Sequence, residues 1–360
     1  MNWSEARARF PVLDTFAYLN AGTFGPLARA TLEAEGALRR WEGEHGRGGK
    51  AYFDAMIERR DRVRGLFADQ IRVPHDHVSL TDSTTGGVQI VVTGLGLGAG
   101  DEVVTTDAEH FGLTGPLAAS GATLRIARVR DAPVADVYEL IRAQVTPRTR
   151  LIATSAVSWI DGKVFPWREL REATGLPVLI DGAQAAGAID EDATVADYYT
   201  VSAQKWLCGP DATGALYVRE PEALPARLIA YPSAASYDIA AGTWEPKPGA
   251  ARFDRTFTPA SSLAGLEAAL TDLPSGRFER ARKLAERCRE LLIEKGHDVV
   301  TEPDQATLVA FRPPGDPAET VVALYERGVV VRELPDTGLL RASVGWWNDE
   351  SDLERLVEHL

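Results

Sequence analysis

The sequence predicts an α/β fold, with a large domain on a mainly parallel sheet and a small α+β domain toward the C-terminus. Three observations predict it. Residues 177–185, Pro-Val-Leu-Ile-Asp-Gly-Ala-Gln-Ala, form a short apolar run that reads as a buried parallel strand ending in Asp181. Further short strands are expected at 78–81, 102–106, 151–154 and 197–201, with an apolar helix at 88–95 after the first. From Ser261 the pattern turns helical, and strands at 307–311 and 339–344 then alternate with helices at 317–327 and 349–359. Carboxylates at strand ends point into the crevice where open α/β sheets bind ligands, so Asp181 marks a candidate site.

At 360 residues the chain is long enough for one large core and a smaller second domain. The expected division is an arm at 1–30 that belongs with the small domain and the entrance, a large domain at 31–258, and a small domain at 259–360. A hydrophobic content of 45% with 25% charged residues is that of a globular protein and argues against disorder. Thirty-nine basic against 52 acidic residues leave −13, which disfavours nucleic acid or an anionic membrane as a partner. Cys208 and Cys288 cannot build a disulfide framework, so a reducing compartment is expected. The first residues lack the apolar core of a signal peptide and no apolar run is long enough to span a bilayer, so the expectation is cytoplasmic and soluble.

Taken in order, residues 17–26 form a short extended piece ending in turn residues. Residues 29–67 read as two amphipathic helices around a glycine-rich break at 46–49. After the strand at 78–81 come Asp82-Ser83-Thr84-Thr85-Gly86-Gly87. Hydroxyls at a helix start, with glycines that let a ligand approach the backbone, make an anion site, although N-capping alone also favours Ser and Thr there. The run Gly-Leu-Gly-Leu-Gly-Ala-Gly at 94–100 is no dinucleotide fingerprint, because it follows a helix and precedes a strand. A nicotinamide oxidoreductase is therefore disfavoured. No zinc-ligand spacing occurs. Residues 230–248, rich in Gly, Pro, Ser and Trp, read as a long functional loop, and 276–295 as a charged amphipathic helix.

The most telling stretch is 201–209, Val-Ser-Ala-Gln-Lys-Trp-Leu-Cys-Gly, which sets Lys205 among apolar and small residues. Desolvation lowers the pKa of an ammonium and frees the neutral amine for Schiff-base formation with an aldehyde. Asp181, Gln184 and Lys205, in that order, resemble the class V aminotransferase family of fold type I pyridoxal 5′-phosphate (PLP) enzymes. That family includes cysteine desulfurases, kynureninases and isopenicillin N epimerases, and the resemblance spans nearly the whole chain. It implies a large doubly wound domain, a small C-terminal domain, and a site between them.

The resemblance also assigns roles. Lys205 would carry the cofactor and act as base at Cα, Asp181 would pair with the ring nitrogen, and Gln184 would reach the ring hydroxyl oxygen. His110 would lie flat on the ring. Ser83, Thr84, Thr85, Ser202 and Gln204 would hold the phosphate; relatives often carry histidine where Gln204 stands, and an amide contributes no charge. Thr256, in Arg-Phe-Asp-Arg255-Thr, matches a threonine that reaches the partner subunit's phosphate, although Arg255 replaces the usual glycine. Arg341 matches the arginine that binds the substrate carboxylate; an ion pair on the surface is the alternative. Asn20 in the arm and Trp159 would border the substrate, with a core position the alternative for Trp159. The implied assembly is a homodimer with shared sites and an amino acid as substrate.

The arm Tyr-Leu-Asn-Ala-Gly-Thr-Phe-Gly-Pro resembles the epimerase and cyst(e)ine-lyase branch. Residues 329–340 contain no cysteine to store persulfide, and Cys208 reads as packing. The expected reaction is β-elimination from cysteine or a cysteine conjugate, with transamination second and epimerisation third.

Overall fold

The computed structural model describes residues 2–271 and 273–360; Met1 and Asp272 lie outside the described residues. The chain opens with an arm that contains the two-residue strand β1 (Ala17–Tyr18). Helices Arg29–His45 and Lys50–Ile71 follow, on either side of the glycine-rich break. The second buries Val63, Phe67, Ala68 and Ile71, a stripe at helical spacing that packs beneath the main sheet.

That sheet has seven strands: β2 (Val78–Thr81), β3 (Glu102–Thr106), β4 (Thr123–Ala127), β5 (Thr149–Ser155), β6 (Val178–Asp181), β7 (Tyr198–Ser202) and β8 (Gly214–Val218). Their spatial order is β2-β8-β7-β6-β5-β3-β4. The block from β7 to β4 is parallel, and β8 runs antiparallel to both its neighbours. Alternation along each strand feeds two cores. Leu151, Ala153 and Leu179 face one layer, with Val88, Val91, Leu113 and Leu117. Ile152, Val178 and Ile180 face the other, with Phe67, Ile71 and Trp206. Being covered on both faces is why these strands read as continuous apolar runs.

Two features depart from the sequence expectation. Residues 230–248 are not a plain loop: β9 (Ala234–Asp238) and β10 (Thr243–Pro246) pair as an antiparallel hairpin. Both strands are largely exposed, so no buried apolar face marks them in the sequence. The helix after β2 runs Thr84–Leu95, four residues longer than its apolar stretch, because its first turn is built from Thr and Gly.

The C-terminal residues form a second antiparallel sheet from β11 (Asp298–Val299), β12 (Leu308–Arg312), β14 (Arg332–Leu334) and β15 (Leu339–Ser343), in the order β11-β12-β15-β14. The short β13 (Val329–Val330) pairs with β1 instead. The arm continues along β15, with Asn20 bridging to Ser343 and the Ser343 amide donating to Leu19 O at 2.7 Å. Helices Arg277–Glu294 and Glu350–His359 cover this sheet through Leu292, Leu353 and Leu356.

The main sheet is tied to the segment after the hairpin by a buried ionic cluster. The Asp254 carboxylate accepts from Arg60 at 3.0 Å, Arg64 at 2.9 Å, Ser79 Oγ at 3.0 Å and the Leu80 amide at 2.9 Å. Burial pushes this carboxyl up, but Arg64 and Arg60 with the Leu80 amide outweigh it and hold it below the usual range. Its contribution to stability is present above the unfolded carboxylate pKa and is lost as pH falls through the lower folded value. Asp254→Ala leaves two buried guanidiniums uncompensated and should lower the unfolding free energy by about 3–5 kcal/mol. Urea unfolding of wild type and variant at neutral pH measures this, and the gap should narrow in acid.

Candidate active site

The C-terminal ends of the parallel strands deliver the candidate residues to one crevice. His110 stands in the turn after β3, Trp159 after β5, Asp181 at the end of β6, and Gln204 and Lys205 directly after β7. Ser83, Thr84, Thr85, His110, Trp159, Asp181, Gln184, Ser202, Gln204, Lys205 and Arg341 line a single cavity of about 210 Å³. Gly22, Thr23, Ser155, Val157, Ala183 and Arg332 complete the wall. Two expected residues are elsewhere. Asn20 stands behind Thr23, whose hydroxyl donates to its Oδ1 at 2.8 Å, and Thr256 is exposed away from the cavity.

Lys205 is half-buried, and desolvation of its amine is the main cause that lowers its pKa to about 8. Asp181 opposes the shift, while Arg341 and Arg332 add to it. Asp181 is buried, and desolvation raises its carboxyl; Lys205, the Ala183 amide at 2.9 Å and His110 pull the other way. The two groups stabilise each other's charge in a place where water contributes little.

The amide of Gln184 is fixed from both ends. Trp206 Nε1 donates to its Oε1 at 2.9 Å, and its Nε2 donates to Gly22 O at 2.9 Å. One N–H of that amide remains for the cavity. Gln204 is oriented in a similar way, since Ser202 Oγ donates to its Oε1 at 2.7 Å and leaves its NH₂ group free to donate.

At the mouth of the helix Thr84–Leu95, Ser83 caps the first turn by accepting from the Gly86 amide at 3.1 Å, and its own proton goes to Asp82. The amides of Thr84 and Thr85 have no acceptor within the helix, and their hydroxyls border the same cavity. His110 Nδ1 accepts from the Gly112 amide at 3.0 Å, which places the proton of the neutral ring on Nε2. Burial, then the neighbouring Lys205, hold this imidazole below its usual pKa. Its ring meets Trp159 edge-on, 5.4 Å between centroids.

Across the crevice, Arg341 is 1% exposed, so it is no surface ion-pair residue. It donates to Trp159 O at 2.5 Å, and its Nε is buried without a partner. Burial, aided by Arg332, lowers its pKa to about 9. Arg332 is its direct neighbour across the β14–β15 ladder, and both guanidiniums approach Thr23 Oγ1, at 3.4 and 3.5 Å. Among the described residues neither has an ion-pair partner. Sequence reading missed Arg332, because only the register of two strands places it beside Arg341. It also missed Glu109 beneath the cavity, although that residue directly precedes His110.

These donors fit PLP. A desolvated amine, a buried carboxylate, a helix N-terminus with free amides and two hydroxyls, and a neutral imidazole are the groups that an aldehyde, a pyridine nitrogen, a phosphate and an aromatic face require.

Comparison with known proteins agrees with this chemistry. Isopenicillin N epimerase of Streptomyces clavuligerus is 29% identical, over 100% of this chain and 98% of its own. A probable cysteine desulfurase of Halalkalibacterium halodurans is 26% identical over 100% and 97%. Among solved structures, the cystine C–S lyase C-DES in complex with its reaction product cysteine persulfide superposes with a TM-score of 0.89 at 27% identity, covering 97% of this chain and 98% of that one. A C-DES mutant with glycine covalently linked to the PLP cofactor gives 0.90 at 26% identity, covering 98% of each. The family model Aminotransferase class-V matches residues 18–356. By that match and by its fold, the chain belongs to the class V aminotransferase family of fold type I, PLP-dependent enzymes.

Proposed function

We propose that this enzyme is a carbon–sulfur β-lyase whose preferred substrate is cystine or another cysteine conjugate with a second carboxylate. The observation that carries the reading is the pair Arg332 and Arg341: two cations at one cavity, neighbours across a ladder, with no ion-pair partner among the described residues. A simple amino acid offers one carboxylate. Cystine offers two, so each guanidinium gains a charge-assisted partner. The likeness to C-DES supports the same choice. Epimerisation is the second reading, supported by the full-length likeness to isopenicillin N epimerase.

In this reading Lys205 would hold the cofactor through its aldehyde, Asp181 would serve its ring nitrogen, and the remaining N–H of Gln184 would serve the ring oxygen. Thr84 and Thr85, with Gln204, hold the phosphate. PLP, when bound, supplies an electron sink for negative charge at the substrate's Cα. His110 would cover one face of the ring and, with its pKa held low, would leave the positive charge to the group that Asp181 pairs with. The side-chain amine of Lys205, once released from the cofactor, would be the base at Cα: with a pKa lowered to about 8, much of it is unprotonated at mildly alkaline pH. It takes the proton from Cα as the Cβ–S bond breaks and the sulfur leaves with the bonding electrons. Water then releases pyruvate and ammonia, and no oxidant is consumed.

A homodimer is part of the proposal. Tyr231, Tyr237 and Phe257 are exposed yet pack on one another around the hairpin, and Thr256, exposed beside them, would serve another protomer's phosphate. Sedimentation at micromolar concentration should give twice the mass of the chain; a monomer with full cofactor occupancy contradicts it.

Borohydride reduction of the reconstituted protein should fix the cofactor on the peptide that contains Lys205, and label on any other lysine sinks that assignment. With cystine the enzyme should release pyruvate and ammonia in equal amounts without an added keto acid. Arg341→Ala should weaken substrate binding by about 2–4 kcal/mol. Arg332→Ala should weaken cystine by about 1.5–3 kcal/mol and leave S-methylcysteine, which has one carboxylate, nearly unaffected. Turnover that requires a keto acid and deposits the amino group on it makes the enzyme an aminotransferase instead.

A further inference from the structure

Glu109 is a half-buried residue with a desolvated carboxyl that the reaction just described does not use. It lies in the turn between β3 and His110, and three donors converge on it: Thr106 Oγ1 at 2.7 Å, the Ser155 amide at 2.9 Å and Ser155 Oγ at 2.5 Å. Ser155 ends β5 and is in register with Asp181 on β6, so one strand separates Glu109 from the carboxylate at the heart of the site. Among the described residues no cation pairs with Glu109. The charge that acts on it is Asp181, which itself faces Lys205 and His110.

A structural hydrogen-bond hub does not need a carboxyl here. An amide would keep the Ser155 amide and hydroxyl on its oxygen and, with the Thr106 hydroxyl turned, donate its NH₂ to Thr106 Oγ1, and it would not place a second acid beside Asp181. Two carboxyls this close in a desolvated site do not ionise independently, so the proton on one governs the other. Burial, the largest influence, moves Glu109 up to about 7 against the pull of its three donors, and Asp181 adds to that rise.

We propose that Glu109 is a positioning residue: held by Thr106 and Ser155 one strand from Asp181, its ionisation sets how firmly Asp181 holds the proton of the cofactor's ring nitrogen. The proposal rests on the reading that Asp181 faces that nitrogen. While Glu109 is protonated, Asp181 carries the negative charge alone. When Glu109 releases its proton to solvent, the added negative charge strengthens proton binding on the Asp181 side. The site thus keeps its ring proton as pH rises through neutrality, where an isolated aspartate would begin to lose it.

Glu109→Gln preserves the shape and the oxygen that accepts from Ser155, and removes the titration. In the cofactor-free protein, the infrared difference between wild type and E109Q should show a protonated carboxyl band that disappears with a midpoint near pH 7. In the reconstituted protein, the pH titration of the bound cofactor's visible absorbance should lose its inflection near 7 in E109Q. Its main transition should also move down by about one to two pH units, the size of one nearby unit charge at an effective dielectric of about 20. In the Asp181→Asn background the same substitution should shift nothing. Ser155→Ala removes one donor to the ionised form and should move the infrared midpoint upward, which keeps the test alive if E109Q does not fold. Absence of the carboxyl band, an unchanged absorbance titration in E109Q, or an equal E109Q shift without Asp181 each overturns the proposal. If D181N alone leaves the absorbance titration unchanged, the Asp181 reading fails first, and the proposal falls with it.

Discussion

The site depends on one electrostatic arrangement, a lysine and an aspartate withdrawn from water at the ends of adjacent parallel strands. Each alone would be unfavourable as an ion in that place. Together they limit the rise that burial imposes on Asp181 and leave Lys205 with a lowered pKa, and the arginines across the crevice lower it further. The rest of the architecture keeps water out and the pair in register. Parallel strands covered on both faces bring Asp181 and Ser202 to the same edge, and the apolar walls from Trp206 and Leu207 support the lysine turn from below.

How much of this was legible in the sequence follows from whether a residue's environment is set locally or by distant chain. Asp181 and Lys205 could be found because each lies in its own apolar run, and a strand end announces itself. The positions of β3, β6 and the helix Arg277–Glu294 were readable for the same reason. Arg332 was not. Its partner Arg341 is nine positions away on a ladder whose register no short pattern records. Glu109 looked like one more polar turn residue, and only the meeting of β3 with β5 turns it into a desolvated acid. The hairpin of β9 and β10 escaped because neither strand has a buried side to create alternation.

Gln184 and Gln204 show a different limit. Sequence reading placed both near the cofactor, yet it could not say which amide atoms were committed elsewhere. In the structure Trp206 and Gly22 fix one amide and Ser202 fixes the other, so each presents a donor rather than an acceptor to the cavity. Donors suit the anionic oxygens of a phosphate or a ring phenolate.

The arm lies so close to the lysine turn that a side chain on Gly25 would collide with the Lys205 carbonyl at 2.0 Å, while the Gly25 amide donates to Gln204 O at 2.7 Å. On its other side the arm is held by Ser343. Residues near 20, near 205 and near 343 must therefore meet before the crevice has all its walls. For a chain made from its N-terminus onward, the segment near 20 waits for the one near 343. The pocket is complete only after both are made, and closing loops of that length sets an entropic barrier that local helix formation cannot lower.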